Sequence, residues 1–238
     1  MPQYVYGKNV VRQILDDSNR AKVVYLAVKD AQIEEMARKR RVPVRIIDRK
    51  AMGKMTKSDH HQGVCAEIEP YRTYTIDEIL AAKPDDKFGL LIMLDELEDP
   101  HNLGAILRTA DAVGADGVIF KKNNAVGLTP TVAKVSAGAI DTVKCACVTN
   151  LSRTCEDLKE KGWWIVGADM DGVDYRSLKY DMNVVLIIGN EGKGMSRLLE
   201  KQCDHIVSLP MVGKISSLNA SVSAGILMYE IYSMRFPL

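Results

Sequence analysis

The stretch VVLIIGNEGKGM, Val184–Met195, changes character halfway along. Val184 to Ile188 form an unbroken apolar run, without the polar alternation of a strand that faces water on one side. Such a run reads as a strand buried on both faces, the condition of inner strands in a parallel sheet covered by helices. The run ends at Gly189, and Gly192 and Gly194 follow within five residues. Open parallel sheets bind ligands beyond the carboxyl ends of their strands, so this loop is where a site is expected.

Working outward, five further short runs resemble it: FGLLIMLD (88–95), DGVIFKK (116–122), TVKCACV (142–148), WWIVGADM (163–170) and HIVSLP (205–210). Most are separated by helix-length amphipathic segments, which predicts a parallel α/β sheet with helices on both faces. Upstream, GKNVVRQILDD (7–17) and AQIEEMARKRR (31–41) read as helices, while KVVYLAV (22–28), PVRIID (43–48) and GVCAEIE (63–69) read as strands. The expectation is a small α/β domain over 1–70, a linker over 71–87 carrying a short amphipathic piece, and a larger α/β domain over 88–238.

Hydrophobic residues make up 47% of the 238 and charged residues 26%, enough apolar material for a core in a soluble chain. No apolar run approaches the ~20 residues that span a membrane, and the N-terminal residues lack a secretory pattern. The five cysteines contain no CxxC pair and lie at no metal-ligand spacing from a histidine, so they are expected as inert thiols in a cytoplasmic protein, with no metal. The net charge of +1 hides an asymmetry: residues 1–72 hold 15 Lys/Arg against 9 Asp/Glu. Ala37–His61 alone carries nine basic residues against Asp48 and Asp59, including the run Arg38, Lys39, Arg40 and Arg41. Such a patch suits a polyanion such as RNA; a solvated helix face is the alternative reading.

Three strand ends carry candidate chemistry. In DPHNLGAILRTADAVGA (99–115), Asn102 suits either a helix N-cap or a site, and Arg108 sits in an apolar helix where an arginine is paired or bound to an anion. GNEGKG (189–194) is neither GxGxxG nor a P-loop, and Glu191 would repel a phosphate, leaving a neutral or cationic ligand or a plain turn. SSLNASVSAGI (216–226) puts Ser217 and Asn219 before a helix whose small residues permit close approach. His60 and His61 lie together in the basic region, His101 adjoins Asn102 and His205 begins a strand; none is given a catalytic role.

In this order, DPHNLGAILRTADAVGADGVI (99–119), LIIGNEGKGMSRLLEKQCDHIVSLPM (186–211) and ISSLNASVSAGILMYE (215–230) resemble the three motifs of the SpoU family of RNA ribose 2′-O-methyltransferases, within the SPOUT superfamily. YGKNVVRQIL and HQGV resemble the ribosomal-protein-L30-like RNA-binding domain fused to it in the type that methylates a guanosine of 23S ribosomal RNA. The resemblance implies a parallel sheet with a deep C-terminal trefoil knot, a homodimer, and S-adenosylmethionine as methyl donor. It implies Gly189, Leu209 and Leu218 at the cofactor, and Asn102, Arg108, Glu191, Ser217 and Asn219 at the active site. Ribosomal RNA is the implied substrate; transfer RNA methylation and a catalytically inactive RNA-binding homologue are the alternatives. A nicotinamide oxidoreductase is disfavoured because the Rossmann glycine fingerprint is missing.

Overall fold

The computed structural model describes residues 3–17, 20–123, 125–190, 192–214 and 217–237. The chain divides into two units, Met1–Tyr71 and Arg72–Leu238.

The first unit runs β1 (Gln3–Tyr6), α1 (Lys8–Asp17), β2 (Ala21–Leu26), α2 (Ala31–Lys39), β3 (Val44–Ile46), α3 (Arg49–Thr56) and β4 (Val64–Ile68). Its four strands lie in the order β1-β4-β2-β3. β4 runs antiparallel to β1 and β2, and β3 is a short parallel edge strand. Asp30 and Asp48 start α2 and α3 by accepting from the N–H groups of Ile33 and Ala51, the expected role of a short carboxylate at an N-cap. Asp30 also receives Lys8 at 3.1 Å and Arg12 at 3.7 Å, tying α1 to the start of α2.

The second unit runs α4 (Ile76–Ala81), β5 (Leu90–Leu94), α5 (Pro100–Ala112), β6 (Gly117–Lys121), α6 (Pro130–Val135), α7 (Ala139–Thr142), β7 (Cys145–Val148), α8 (Leu151–Glu160), β8 (Trp163–Asp174), β9 (Asn183–Ile188), α9 (Arg197–Glu200), β10 (His205–Ser208) and α10 (Ala220–Arg235). Its six strands are ordered β10-β8-β9-β5-β6-β7, and every neighbouring pair is parallel. All six apolar runs are strands of this sheet, and Val184 to Ile188 are buried throughout. Each such aliphatic side chain contributes roughly 1.5–3 kcal/mol when taken out of water. Gly104 lets α5 meet α6: a Cβ there would come within 2.6 Å of the Val135 Cβ.

The stretch 71–87, expected as a linker, belongs to the second unit from Arg72 onward. The Tyr74 N–H donates to the Cys145 carbonyl at 2.8 Å, and Ile79 of α4 is buried in the core with Leu91 and Ile119. A capping box between Thr75 and Glu78 opens α4. The apolar spacing of that short helix is what fastens it to the sheet.

The far end of α10 is fastened by Arg235. Its guanidinium donates to the carbonyls of Tyr180, Phe88, Gly89 and Met182 at 2.8–3.1 Å. Burial lowers its pKa to about 10, so it stays charged at neutral pH.

Candidate functional site

The carboxyl ends of β8, β9 and β10 and the residues before α10 surround a cavity of about 410 Å³, within the size range of small-molecule sites. Gly189, Leu209, Ser217 and Leu218, four of the residues singled out from the sequence, all line it. They come from three chain segments that the parallel sheet brings to one edge.

The glycine loop is closed on itself. Asn190 and Gly194 exchange backbone hydrogen bonds of 3.0 and 2.9 Å. A Cβ on Gly189 would lie 2.4 Å from the Gly194 carbonyl carbon and 2.5 Å from the Met195 nitrogen, so only glycine fits where the two strands of the loop touch. Asn190 organises the rest. Its Oδ1 accepts from the N–H groups of Gly192 at 2.9 Å and Lys193 at 3.2 Å, and its Nδ2 donates to the Glu96 carbonyl at 3.0 Å. Glu96 itself sits at φ 53°, a left-handed conformation costing a non-glycine residue about 1 kcal/mol or more. Asn190 was not among the residues picked from the sequence, and its work is local loop chemistry plus a partner 94 residues away.

At the mouth of α10 the expectations are sharpened. Asn219 is the N-cap, its Oδ1 accepting from the N–H groups of Ser221 at 2.9 Å and Val222 at 3.4 Å and from the Ser221 hydroxyl at 2.6 Å. That leaves its Nδ2 to donate to Asn102 Oδ1 at 3.0 Å. Asn102 is buried, 7% exposed. It is not the N-cap of α5: Asp99 holds that place, accepting from His101 N–H at 2.8 Å, with Pro100 in the first turn.

Arg108 lies six residues beyond Asn102 on α5, about 9 Å along the axis and about 120° round it. It is exposed, and its side chain makes no ion pair or hydrogen bond with a described residue. Glu191 lies outside the described residues, as does Ser216. Asp169 at the end of the core of β8 was not anticipated, yet it puts a carboxylate into the cavity wall beside Gly194. The lining offers neutral backbone, apolar side chains, the polar side chains of Asn190, Ser217 and Ser223, and the charges of Asp169 and Lys193. Among the described residues no His, Cys, Asp or Glu cluster could hold a metal ion.

The basic run of the first unit is exposed throughout. Arg38 and Lys39 end α2, Arg40 caps it, and Arg41 follows at φ 57°. Lys39 pairs with Glu35 at 2.9 Å, and the Arg40 guanidinium donates to the Asp16 carbonyl.

Comparison with known proteins covers both units. The profile of the SpoU rRNA Methylase family matches residues 89–229, and that of RNA 2′-O ribose methyltransferase substrate binding matches residues 4–74. A protein named as a TrmH family tRNA/rRNA methyltransferase, YacO of Bacillus subtilis (strain 168), is 45% identical over 241 residues, covering 98% of this chain and 96% of that one. Among solved structures, the SpoU methyltransferase AviRb from Streptomyces viridochromogenes in complex with AdoMet aligns with a TM-score of 0.66 at 25% identity, over 98% of this chain and 90% of that one. An AdoMet-bound rRNA methyltransferase from Sinorhizobium meliloti aligns at 0.62 and 25% identity, over 97% and 86%. A TrmH/SpoU tRNA modifying enzyme of A. aeolicus aligns at 0.57 and 29% identity, over 63% of this chain and 76% of that one.

Proposed function

This chain belongs to the SpoU family of RNA methylases, and from that premise we propose that it methylates a ribose 2′-hydroxyl of 23S ribosomal RNA, at a guanosine. The observation that carries the reading is the cavity in which Gly189, Leu209, Ser217 and Leu218 meet. S-adenosylmethionine supplies a methyl group already activated by its sulfonium, so no metal is called for. The residues present fit it: a loop into which a Cβ cannot enter, two leucines, and the Asp169 carboxylate to face positive charge.

The chain's own residues then have the tasks of alignment and charge control. Gly189, Leu209 and Leu218 hold the cofactor, while Ser217 and Asn219, with Asn102 behind it, fix the rim where the ribose enters. Holding the reactants in line supplies several kcal/mol of the barrier. Arg108, exposed and unpaired among the described residues, binds the neighbouring phosphate and stabilises the developing 2′-oxyanion. A guanidinium already carries its proton and has no acceptor site, so it cannot take the proton itself. Glu191 is assigned to orienting Arg108 or the RNA. Loss of Arg108 should cost roughly 2–4 kcal/mol of transition-state stabilisation. An Arg108→Lys variant that keeps turnover but loses the basic limb of its pH–rate profile would count against this role.

The first unit (1–70 as read from the sequence) docks the RNA, and the second transfers the methyl group. Ribosomal RNA is preferred over transfer RNA because the neighbour named as an rRNA methyltransferase aligns with 97% of this chain, whereas the tRNA-modifying neighbour aligns with 63%. A homodimer is part of the same reading. Val222, Ile226 and Tyr229, at helical spacing on α10, are 48%, 37% and 50% exposed, an apolar stripe that a second copy would cover. A threaded C-terminal segment also belongs to this reading, which is supported by Ser217 and Leu218 lining the same cavity as Gly189. Among the described residues no helix is long and apolar enough to cross a membrane, and the cytoplasm, where ribosomal RNA is made, is the proposed location.

The test is transfer of labelled methyl from S-adenosylmethionine to 23S ribosomal RNA and to transfer RNA, followed by mapping of 2′-O-methyl positions. A single ribosomal guanosine is expected; label confined to transfer RNA would overturn the substrate, and label on a base would overturn the chemistry.

A further inference from the structure

We infer that the first unit grips RNA phosphates chiefly with the outer face of α3 and the adjoining edge strand β3, rather than with Lys39 and Arg40 at the end of α2. The inference rests on the reading of this chain as an RNA methyltransferase and goes beyond it by naming the surface.

Charge is the first observation. Residues 41–61 hold six basic side chains, Arg41, Arg45, Arg49, Lys50, Lys54 and Lys57, against Asp48 and Asp59. Asp48 spends its carboxylate on the N-terminus of α3, where it accepts from Ala51 N–H at 2.8 Å. Asp59 sits beside Gly53, its Oδ1 3.5 Å from where a Cβ would be.

Helix geometry is the second. At about 100° per residue, Arg49, Lys50 and Lys54 fall within an arc of about 140°, and Met52 and Met55 fall on the opposite side. Met52 is fully buried with Tyr25 and Cys65, and Met55 packs against the same cluster. The methionines therefore fix which way the helix is turned, and the basic arc is left facing outward. Arg49, Lys50, Lys54 and the C-cap Lys57 are all exposed. On β3, Arg45 is exposed and registers with Tyr25, the residue that α3 covers, so it flanks the same helix.

Availability is the third. The side chains of Arg45, Arg49, Lys50, Lys54 and Lys57 make no ion pair or hydrogen bond with a described residue. Two of the four cations around the end of α2 differ: Lys39 is paired with Glu35, whose carboxyl it holds below the usual range, and Arg40 is bound to a backbone carbonyl. A cation already paired must surrender that contact before it meets a phosphate, whereas an unpaired one only releases counterions from the RNA. Asp59, beside Gly53, is the other carboxylate of this stretch and pairs with none of the arc's cations among the described residues, so the array suits the repeated charges of an RNA backbone. Such contacts position the strand and leave base identity to be read elsewhere.

The experiment uses the full chain and a fluorescein-labelled single-stranded RNA of about 20 nucleotides, a length that spans more than one small domain's site. Binding is measured against salt for the wild type, for the triple variant Arg49→Ala, Lys50→Ala, Lys54→Ala, and for the engaged α2 pair, Lys39→Ala with Arg40→Ala. The triple variant should lower the slope of log affinity against log salt by about 2, at about 0.7 per lost phosphate contact, and the α2 pair should leave it nearly unchanged. Arg49→Lys alone, which keeps the charge, should preserve the slope. S-adenosylmethionine binding and methyl transfer by the wild type test the reading beneath. With both present, an unchanged slope in the triple variant, or an equal loss in the α2 pair, overturns this surface alone. Should the triple variant fail to melt cooperatively, Lys50→Glu with Lys54→Glu takes its place under the same criterion.

Discussion

Asn219 Nδ2 donates to Asn102 Oδ1 across 3.0 Å, joining residues 117 positions apart while the other half of the Asn219 amide caps α10. One side chain thus starts the last helix and fixes that start against α5. The cap sets the amide's orientation, since Oδ1 is taken by the Ser221 and Val222 N–H groups, and Asn102 must then present its acceptor. Asn219→Ala should lose a cap worth about 1 kcal/mol and the bond to Asn102, worth about 0.5–1.5 kcal/mol. Asn219→Asp keeps the cap and loses the donor, so urea denaturation should place it between the wild type and alanine. An aspartate variant as stable as the wild type would show that the bond to Asn102 carries nothing.

Gly189→Ala tests the closed loop. The new methyl would lie within 2.6 Å of three backbone atoms of Gly194 and Met195, none of which can swing aside as a side chain could. The loop must open, and S-adenosylmethionine affinity should fall about tenfold or more, equivalent to about 1.4 kcal/mol. Titration calorimetry reads this directly; an unchanged Kd would mean the loop can open without touching the ligand.

Asn190 separates two functions in one amide. Asn190→Asp retains the acceptor for the Gly192 and Lys193 N–H groups but cannot donate to the Glu96 carbonyl, whereas Asn190→Ala loses both. The expected order of cofactor affinity is wild type, then aspartate, then alanine. The alanine step should be worth about 1–3 kcal/mol. Equal affinities in all three would leave the loop's shape to its glycines alone.

The thiols give a pH dependence with a definite sign. Burial pushes the pKa of Cys145, Cys155 and Cys203 up to about 12 and that of Cys65 up to about 11. In the unfolded chain they titrate near about 8.5, so above that pH the unfolded state loses protons that the folded state keeps. Stability is therefore full below about pH 8.5 and declines as pH rises toward the folded values. Thermal melting between pH about 7 and 10 should show this fall, reduced by replacing Cys155 with Ser or Ala after allowing for the packing cost. Iodoacetamide near pH 8 should label the exposed Cys147 first, the partly exposed Cys203 more slowly, and the three buried thiols only on unfolding. Fast labelling of Cys155 in the native protein would contradict the burial.

The strands of the second unit were legible because burial on both faces leaves a continuous apolar signature, as in Val184–Ile188. β1 was missed because its four residues are held only by pairing with β4, more than 50 positions away. α3 hid inside a charge run, its apolar side reduced to Met52 and Met55 with a glycine between them. Gly189, Leu209, Ser217 and Leu218 could be gathered from the sequence only through resemblance; the sheet order explains why they meet. Whether Asn102 is a cap or a site residue stays open in the sequence because Asn102 and Asp99 are both good caps; Asp99 takes the cap, and Asn102 is buried against Asn219. Nothing in local pattern marks Asn190 or Asp169, whose importance comes from groups brought to them by the fold.

Arg235 gives α10 a second support. Sixteen residues span about 24 Å, from the Asn219 cap beside the cavity to the carbonyls of Phe88, Gly89, Tyr180 and Met182 just before β5 and β9. A beam fastened at both ends cannot slide along its own axis, so the placement of its first turn is set partly from the far side of the molecule. Among descendants of this sequence, drift should therefore collect along the span of the helix and spare its two anchorages, even though one of them never comes near a substrate.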